Sequence, residues 1–94
     1  MIVRILTEGQ FDVDGALSDD LNQLDAALEQ AVESGDETSF RSALGELLEK
    51  IRSSGNPLPE DSLEPSDAVL PPADAALDEV RAMLSETGEG LIPG

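Results

Sequence analysis

The chain has 94 residues, and its 5 Lys and Arg against 21 Asp and Glu leave a formal net charge of −16 at pH 7. It contains no His, Cys, Trp or Tyr, which excludes disulfides, metal or haem sites built on imidazole or thiolate, and His or Cys nucleophilic and general-base chemistry. A basic groove for nucleic acid is equally absent. The length predicts one domain, residues 1–94, with a modest core.

Residues 1–6, Met-Ile-Val-Arg-Ile-Leu, are almost all apolar and rich in β-branched types and predict a strand. The run is too short for a signal-peptide core or a membrane span, which fits a cytoplasmic location. Thr7-Glu8-Gly9 supplies a turn in which Gly9 takes the left-handed conformation. Gln10-Phe11-Asp12-Val13 alternates with period two, as a half-buried return strand does. Placing Leu6 opposite Gln10 brings Ile5 to Phe11 and Val3 to Val13 on one face, with Arg4 facing Asp12 on the other.

After the turn at Asp14-Gly15, Leu17, Leu21, Leu24, Leu28, Ala31 and Val32 recur at helical spacing. Asp19, Asp20, Asn22, Asp25, Glu29 and Glu33 fall to the polar surface, Ser18 reads as the N-cap, and Gly35 ends the helix. Asp36 caps a second helix with the stripe Phe40, Ala43, Leu44, Leu47, Leu48 and Ile51, ending before Gly55. Arg41, Lys50 and Arg52 lie on it, and Glu46 and Lys50 have the favourable order for a pair at a spacing of four. The two helices should form an antiparallel hairpin. The two aromatics, Phe11 and Phe40, read as core contacts between the β-hairpin and the helices.

Residues 54–74 read as an ordered, extended crossing. Ser54-Gly55-Asn56-Pro57 breaks helix, while Leu58, Leu63, Val69 and Leu70 serve as apolar anchors, and Pro65, Pro71 and Pro72 stiffen the path. Val69-Leu70 is a candidate third strand, stopped by the double proline. A last helix spans about 75–86, capped by Asp74, with Leu77, Val80 and Leu84 as its stripe and Ala76 and Met83 beside it. Gly88 and Gly90 end it, and Leu91-Ile92 anchors the terminus. The fold class is therefore α+β.

Local patterns for chemistry are weak. Asp12-x-Asp14-Gly15-x-x-Ser18 overlays part of a calcium loop beginning at Gln10, but the first position lacks an acid and Leu21 replaces the bidentate Glu. A strand end, a turn and a helix cap explain the same residues, and a calcium-responsive protein is a distant alternative. Paired carboxylates such as Asp19/Asp20 and Asp78/Glu79 lie on helices without a cleft, and neither Gly9 nor Gly15 belongs to a phosphate-binding loop. No catalytic residue, metal or cofactor is assigned, so the chain reads as a non-enzyme. A charged surface is more informative. From Ser53 through Val80 there is no Lys or Arg, while Glu60, Asp61, Glu64, Asp67, Asp74, Asp78 and Glu79 are all acidic. Such a segment repels nucleic acid and anionic lipid and steers towards a basic protein surface, although a solvated face or a salt-rich cytoplasm accounts for acidity as well.

Two stretches carry a family resemblance. Met1-Ile2-Val3-Arg4-Ile5-Leu6-Thr7-Glu8-Gly9-Gln10-Phe11 resembles the opening of the PspA-associated proteins (PspAA). Pro65-Ser66-Asp67-Ala68-Val69-Leu70-Pro71-Pro72-Ala73-Asp74, followed by a helix and Leu91-Ile92-Pro93, resembles their closing half. The resemblance implies an accessory partner of PspA, a phage-shock coiled-coil protein that associates with stressed membranes, and hence a role in envelope stress through protein contact. It carries over no catalytic residue. It does imply a structural role for Gly9 and a contact or clasp at 65–74.

The expected protein is thus an adaptor that engages a PspA-like coiled coil and reaches the inner face of the membrane through that partner. The chief alternative is a self-associating module in which an open edge of the two-stranded hairpin pairs with a second copy.

Overall fold

The computed structural model describes residues 1–59, 61, 64–87 and 91. Two layers pack together: a small mixed sheet, and a pair of long helices with a third beside them. The chain runs β1 (Ile2–Ile5), β2 (Gly9–Asp12), a 3-10 turn (Gly15–Leu17), α1 (Ser18–Ser34), α2 (Glu37–Ser54), β3 (Asn56–Pro57), β4 (Ala68–Leu70) and α3 (Leu77–Thr87). The sheet order is β3-β2-β1-β4, antiparallel except for the β1–β4 pair. The α+β class follows as expected.

The hairpin register differs from expectation. Val3 lies opposite Phe11, Arg4 opposite Gln10 and Ile5 opposite Gly9. The turn is Leu6-Thr7-Glu8, closed by the Glu8 N–H donating to the Ile5 carbonyl at 3.0 Å, and positive φ falls on Thr7 (75°) as well as Gly9 (112°). Each residue's partner has moved by two positions, which keeps every side chain on its original face. The hydrophobic pattern therefore cannot distinguish the two registers, and contacts elsewhere decide. The Met1 and Val13 backbones bond reciprocally at 2.9 and 2.8 Å. Asp12 lies 3.8 Å from the terminal ammonium instead of pairing with Arg4.

Neither edge of the hairpin is open. β3 adds to β2 through Phe11–Pro57 and Asp12–Asn56, and β4 adds to β1 through Val3–Ala68, Arg4–Val69 and Ile5–Leu70. Pairing of the hairpin edge with a second copy is thus pre-empted by the chain's own strands. The crossing is ordered where it is described, and the expected third strand is β4. β3 was not foreseen, because Asn56-Pro57 reads only as a helix breaker. Proline is admitted there because β3 is an edge strand. Leu63 lies outside the described residues, Leu58 is half-buried, and Val69 is exposed.

Both long helices have the expected extents. Gly35 ends α1 at φ 72°, a left-handed cap that costs other residues strain. The Asp36 carboxylate accepts from Thr38 N and Ser39 N at the start of α2. Ser18, by contrast, is the first residue of α1 and not its cap. Asp14 caps the preceding 3-10 turn by accepting from Ala16 N at 2.9 Å. Gly55 closes α2 where the helix end meets the sheet: a Cβ there would lie 2.7 Å from the Ile51 carbonyl and 3.2 Å from Phe11 Cβ.

The α3 helix begins at Leu77, later than expected, so Asp74 lies in the preceding turn and Ala75, not Ala76, is buried. Leu77 and Val80 are buried, while Met83 and Leu84 are half-buried. Gly88, Gly90 and Ile92 lie outside the described residues. Leu91 is buried in the core as expected.

That core joins Val3, Ile5, Val13 and Leu70 from the sheet side to Leu21, Leu28, Phe40, Leu44, Leu47, Leu48 and Ile51 from the helices. Phe40 is fully buried, and Phe11 packs against the cluster while half-exposed.

Candidate functional site

The acidic segment is clasped to the sheet. Gln10, 6% exposed, donates through Nε2 to the Glu64 carbonyl at 2.8 Å and to Ser66 Oγ at 2.9 Å. Its backbone carbonyl accepts from Leu58 N at 2.9 Å. A buried amide needs such partners, since leaving its donors unmet costs about 1–3 kcal/mol. The Asp67 carboxylate accepts from Ile2 N at 2.8 Å while Asp67 N donates to the Ile2 carbonyl at 2.7 Å. Further along, Leu6 N donates to the Leu70 carbonyl at 3.0 Å and Pro71 is buried. Arg41 Nη1 donates to the Ala73 carbonyl at 3.1 Å, and Pro72 accepts from Ala75 N at 3.0 Å.

The seven expected contact acids therefore differ in circumstance. Asp67 serves the sheet. Asp78 lies 3.5 Å from Arg81 on the surface of α3. Asp61, Glu64, Asp74 and Glu79 are exposed, and Glu60 lies outside the described residues. Of the structural residues, Gly9 has the positive φ expected of it, Pro65 is exposed, and Pro72 is half-buried.

Three of the cations are bonded to groups distant in sequence while remaining at or near the surface. Arg41 stacks over the Phe40 ring at 5.2 Å while holding Ala73. Arg52 forms a two-pronged pair with Glu8, with Nε to Oε1 at 2.7 Å, and approaches Glu49 at 3.8 Å. The hydrogen bond from Arg52 holds the Glu8 carboxyl below its ordinary range. Arg81 donates to the Val32 carbonyl at the end of α1 at 3.0 Å, a site where helix carbonyls favour a cation. Arg4 and Lys50 form no ion pair among the described residues. The expected Glu46–Lys50 pair is thus not made. Half-buried Lys50 instead borders α1 beside Asp20, Gln23 and Leu24.

Two features escaped sequence reasoning. Asp25 was assigned to the polar surface of α1, yet it is 4% exposed and accepts the Leu91 N–H on both oxygens, at 3.3 and 3.0 Å. A signal was available: Asp25 lies four residues after Leu21 and three before Leu28, on the buried stripe itself. Beside it, Glu29 lines a cleft of about 330 Å³ between α1 and α3 with Glu33, Arg81 and Leu84. Burial, then the charges of Asp25 and Glu33, push its carboxyl upward.

The second is a shallow, mostly apolar groove of about 680 Å³ on the outer side of α1 and α2. Leu24, Arg41, Ser42, Gly45, Glu46 and Lys50 help to line it.

A calcium loop finds no support in this geometry. Asp14 is spent on its cap and Asp12 lies by the terminal ammonium. Among the described residues no three carboxylates group to hold a metal. No described helix is long and apolar enough to cross a membrane.

No curated protein and no solved structure matches the chain. The family model described as PspA-Associated protein (PspAA) matches residues 1–94. The chain belongs to the PspA-associated protein family.

Proposed function

We propose that this protein is a non-enzymatic accessory factor that binds a PspA-like coiled-coil protein in the envelope-stress response. Its acidic surface draws in a basic stretch of that partner. Family membership supplies the partner class. The observation that carries the electrostatic part is the asymmetry of −16. The exposed acids Asp61, Asp74 and Glu79 contribute to that negative field, which accelerates encounter with a positively charged surface. The protein works on the cytoplasmic side and reaches the membrane through its partner, because its own surface repels anionic lipid.

Titration of a purified PspA-like coiled-coil protein against this chain at low and high salt tests the reading. Saturable binding at low salt that weakens as salt rises is the expected result, since exposed charges are screened beyond about 8–10 Å at physiological ionic strength. Absence of binding at low salt would sink the assignment, and salt-insensitive binding would remove its electrostatic component.

A further inference from the structure

Two bonds fasten the end of the chain along α1. Arg81 of α3 donates through Nη2 to the Val32 carbonyl at 3.0 Å. Leu91 donates its N–H to both oxygens of Asp25, two turns nearer the start of α1. The chain from residue 81 to residue 91 thus runs against the direction of α1, and Glu29 stands between the two attachments. Asp25, Glu29 and Glu33 recur at a spacing of four, so they lie on successive turns of one helix face. Asp25 is 4% exposed, and Glu29 is half-buried in the cleft of about 330 Å³ between α1 and α3. Arg81 is the one cation in the described lining, which takes no residue from α2 or the sheet. Its guanidinium is committed to the Val32 carbonyl and lies 3.5 Å from Asp78, and it forms no ion pair with Glu29. Among the described residues no three carboxylates group to hold a metal. A proton is therefore the species left to neutralise Glu29 in place.

We propose that Glu29 makes the α1–α3 seam a proton-sensitive latch, in which uptake of a proton by Glu29 closes α3 and Leu91 more firmly onto α1. With Glu29 ionised, its charge faces Asp25 on one side and Glu33 on the other, and like charges at this spacing oppose the arrangement. Burial adds to the cost of the ionised form. Both effects raise the Glu29 carboxyl, and linkage then requires that the protonated form favour the closed seam. Closure is therefore weaker at neutral pH and strengthens as pH falls through the raised value. Neutral Glu29 also leaves the Asp25 carboxylate with one like charge fewer, at the point where it holds Leu91. The Glu8–Arg52 pair acts with the opposite sign, because Arg52 lowers the Glu8 carboxyl, so its contribution is lost and not gained on acidification.

The test follows the full chain by nuclear magnetic resonance from about pH 7.5 to about pH 4.5, a range chosen to span the titration of a raised glutamate. The Glu29 carboxyl carbon reports its protonation. Hydrogen exchange of the Leu91 and Leu84 amides, expressed as protection factors to remove the intrinsic effect of pH, reports closure. Protection should rise about two- to fivefold and follow the Glu29 titration, as relief of two like-charge neighbours requires. Glu29→Gln should show at neutral pH the protection that the parent reaches only in acid, and should lose the response. Glu46→Gln removes an exposed acid of α2 outside this cleft, and should leave both the protection and its response as in the parent. Protection at Leu91 that ignores the Glu29 titration overturns the latch, as does a response that survives in Glu29→Gln. An equal gain in Glu46→Gln would assign the effect to net charge and overturn it too.

Discussion

Asp25 and Leu91, 66 positions apart, are joined by a carboxylate that accepts one backbone N–H on both of its oxygens. This bond ties Leu91 to the middle of α1, inside the core and not on the surface. Asp25→Ala leaves the Leu91 N–H buried without that acceptor, and should cost about 1–3 kcal/mol. Urea unfolding should show a lower midpoint, and limited proteolysis should cut faster around Leu91. Asp25→Asn retains an acceptor oxygen and should lose less.

Gly45 within α2 and Gly55 at its C-terminal cap should respond oppositely to alanine. Gly45→Ala meets open space and should stabilise the protein by about 0.5–1 kcal/mol. Gly55→Ala would set its Cβ 2.7 Å from the Ile51 carbonyl, so the helix end must move off β2, a destabilisation of at least about 1 kcal/mol. Thermal melting of the two variants should bracket the parent.

Thr7 holds φ at 75° in the hairpin turn, a region that is costly for a β-branched residue. Thr7→Gly relieves that strain but adds freedom to the unfolded chain. The strain, of order 1–3 kcal/mol, exceeds the entropic loss of about 0.4–1 kcal/mol. A net rise in the denaturation midpoint is therefore expected.

Two glutamates should give stability opposite dependences on pH. The Glu8 carboxyl is lowered in the fold by Arg52. Its contribution is present above the unfolded value of about 4.3 and is lost as pH falls through the lower folded value. The Glu29 carboxyl is raised by burial and by Asp25 and Glu33, so its charged form opposes folding and stability declines as pH rises through its folded value. Each like-charge neighbour at a spacing of four costs about 0.2–0.5 kcal/mol. Glu29→Gln should therefore stabilise the protein at pH 7, with the gain shrinking towards pH 4. Glu8→Gln should destabilise it at pH 7, with the loss fading on acidification. Paired denaturation curves at the two pH values check both signs.

Helical spacing located α1 and α2 to within a residue, because their apolar stripes, Asp36 and Gly35 are local features. The place of α3 was less legible. Leu77 and Val80 signal its buried face, but the turn built by Pro72 and Ala75 delays its start. The candidate contact surface was legible as an acidic run, yet Asp67 within that run proved to be a partner of Ile2. The groove at Gly45 had no reading in one dimension, since an exposed glycine acquires meaning only beside its neighbour helix.

Sequence by itself determined the excluded chemistries, the α+β class, the two long helices and the strong negative charge, all of which depend on residue type or short-range periodicity. Tertiary structure alone decided the hairpin register, because registers two positions apart bury the same faces and only the Met1–Val13 pair and the Gln10 clasp separate them. It also decided how the charge is deployed. Arg41, Arg52 and Arg81 are held by carbonyls and a carboxylate distant in sequence, and of the three only Arg52 meets a carboxylate across the fold. A net charge of −16 is a property of composition, whereas which charged groups stand together is a consequence of the fold.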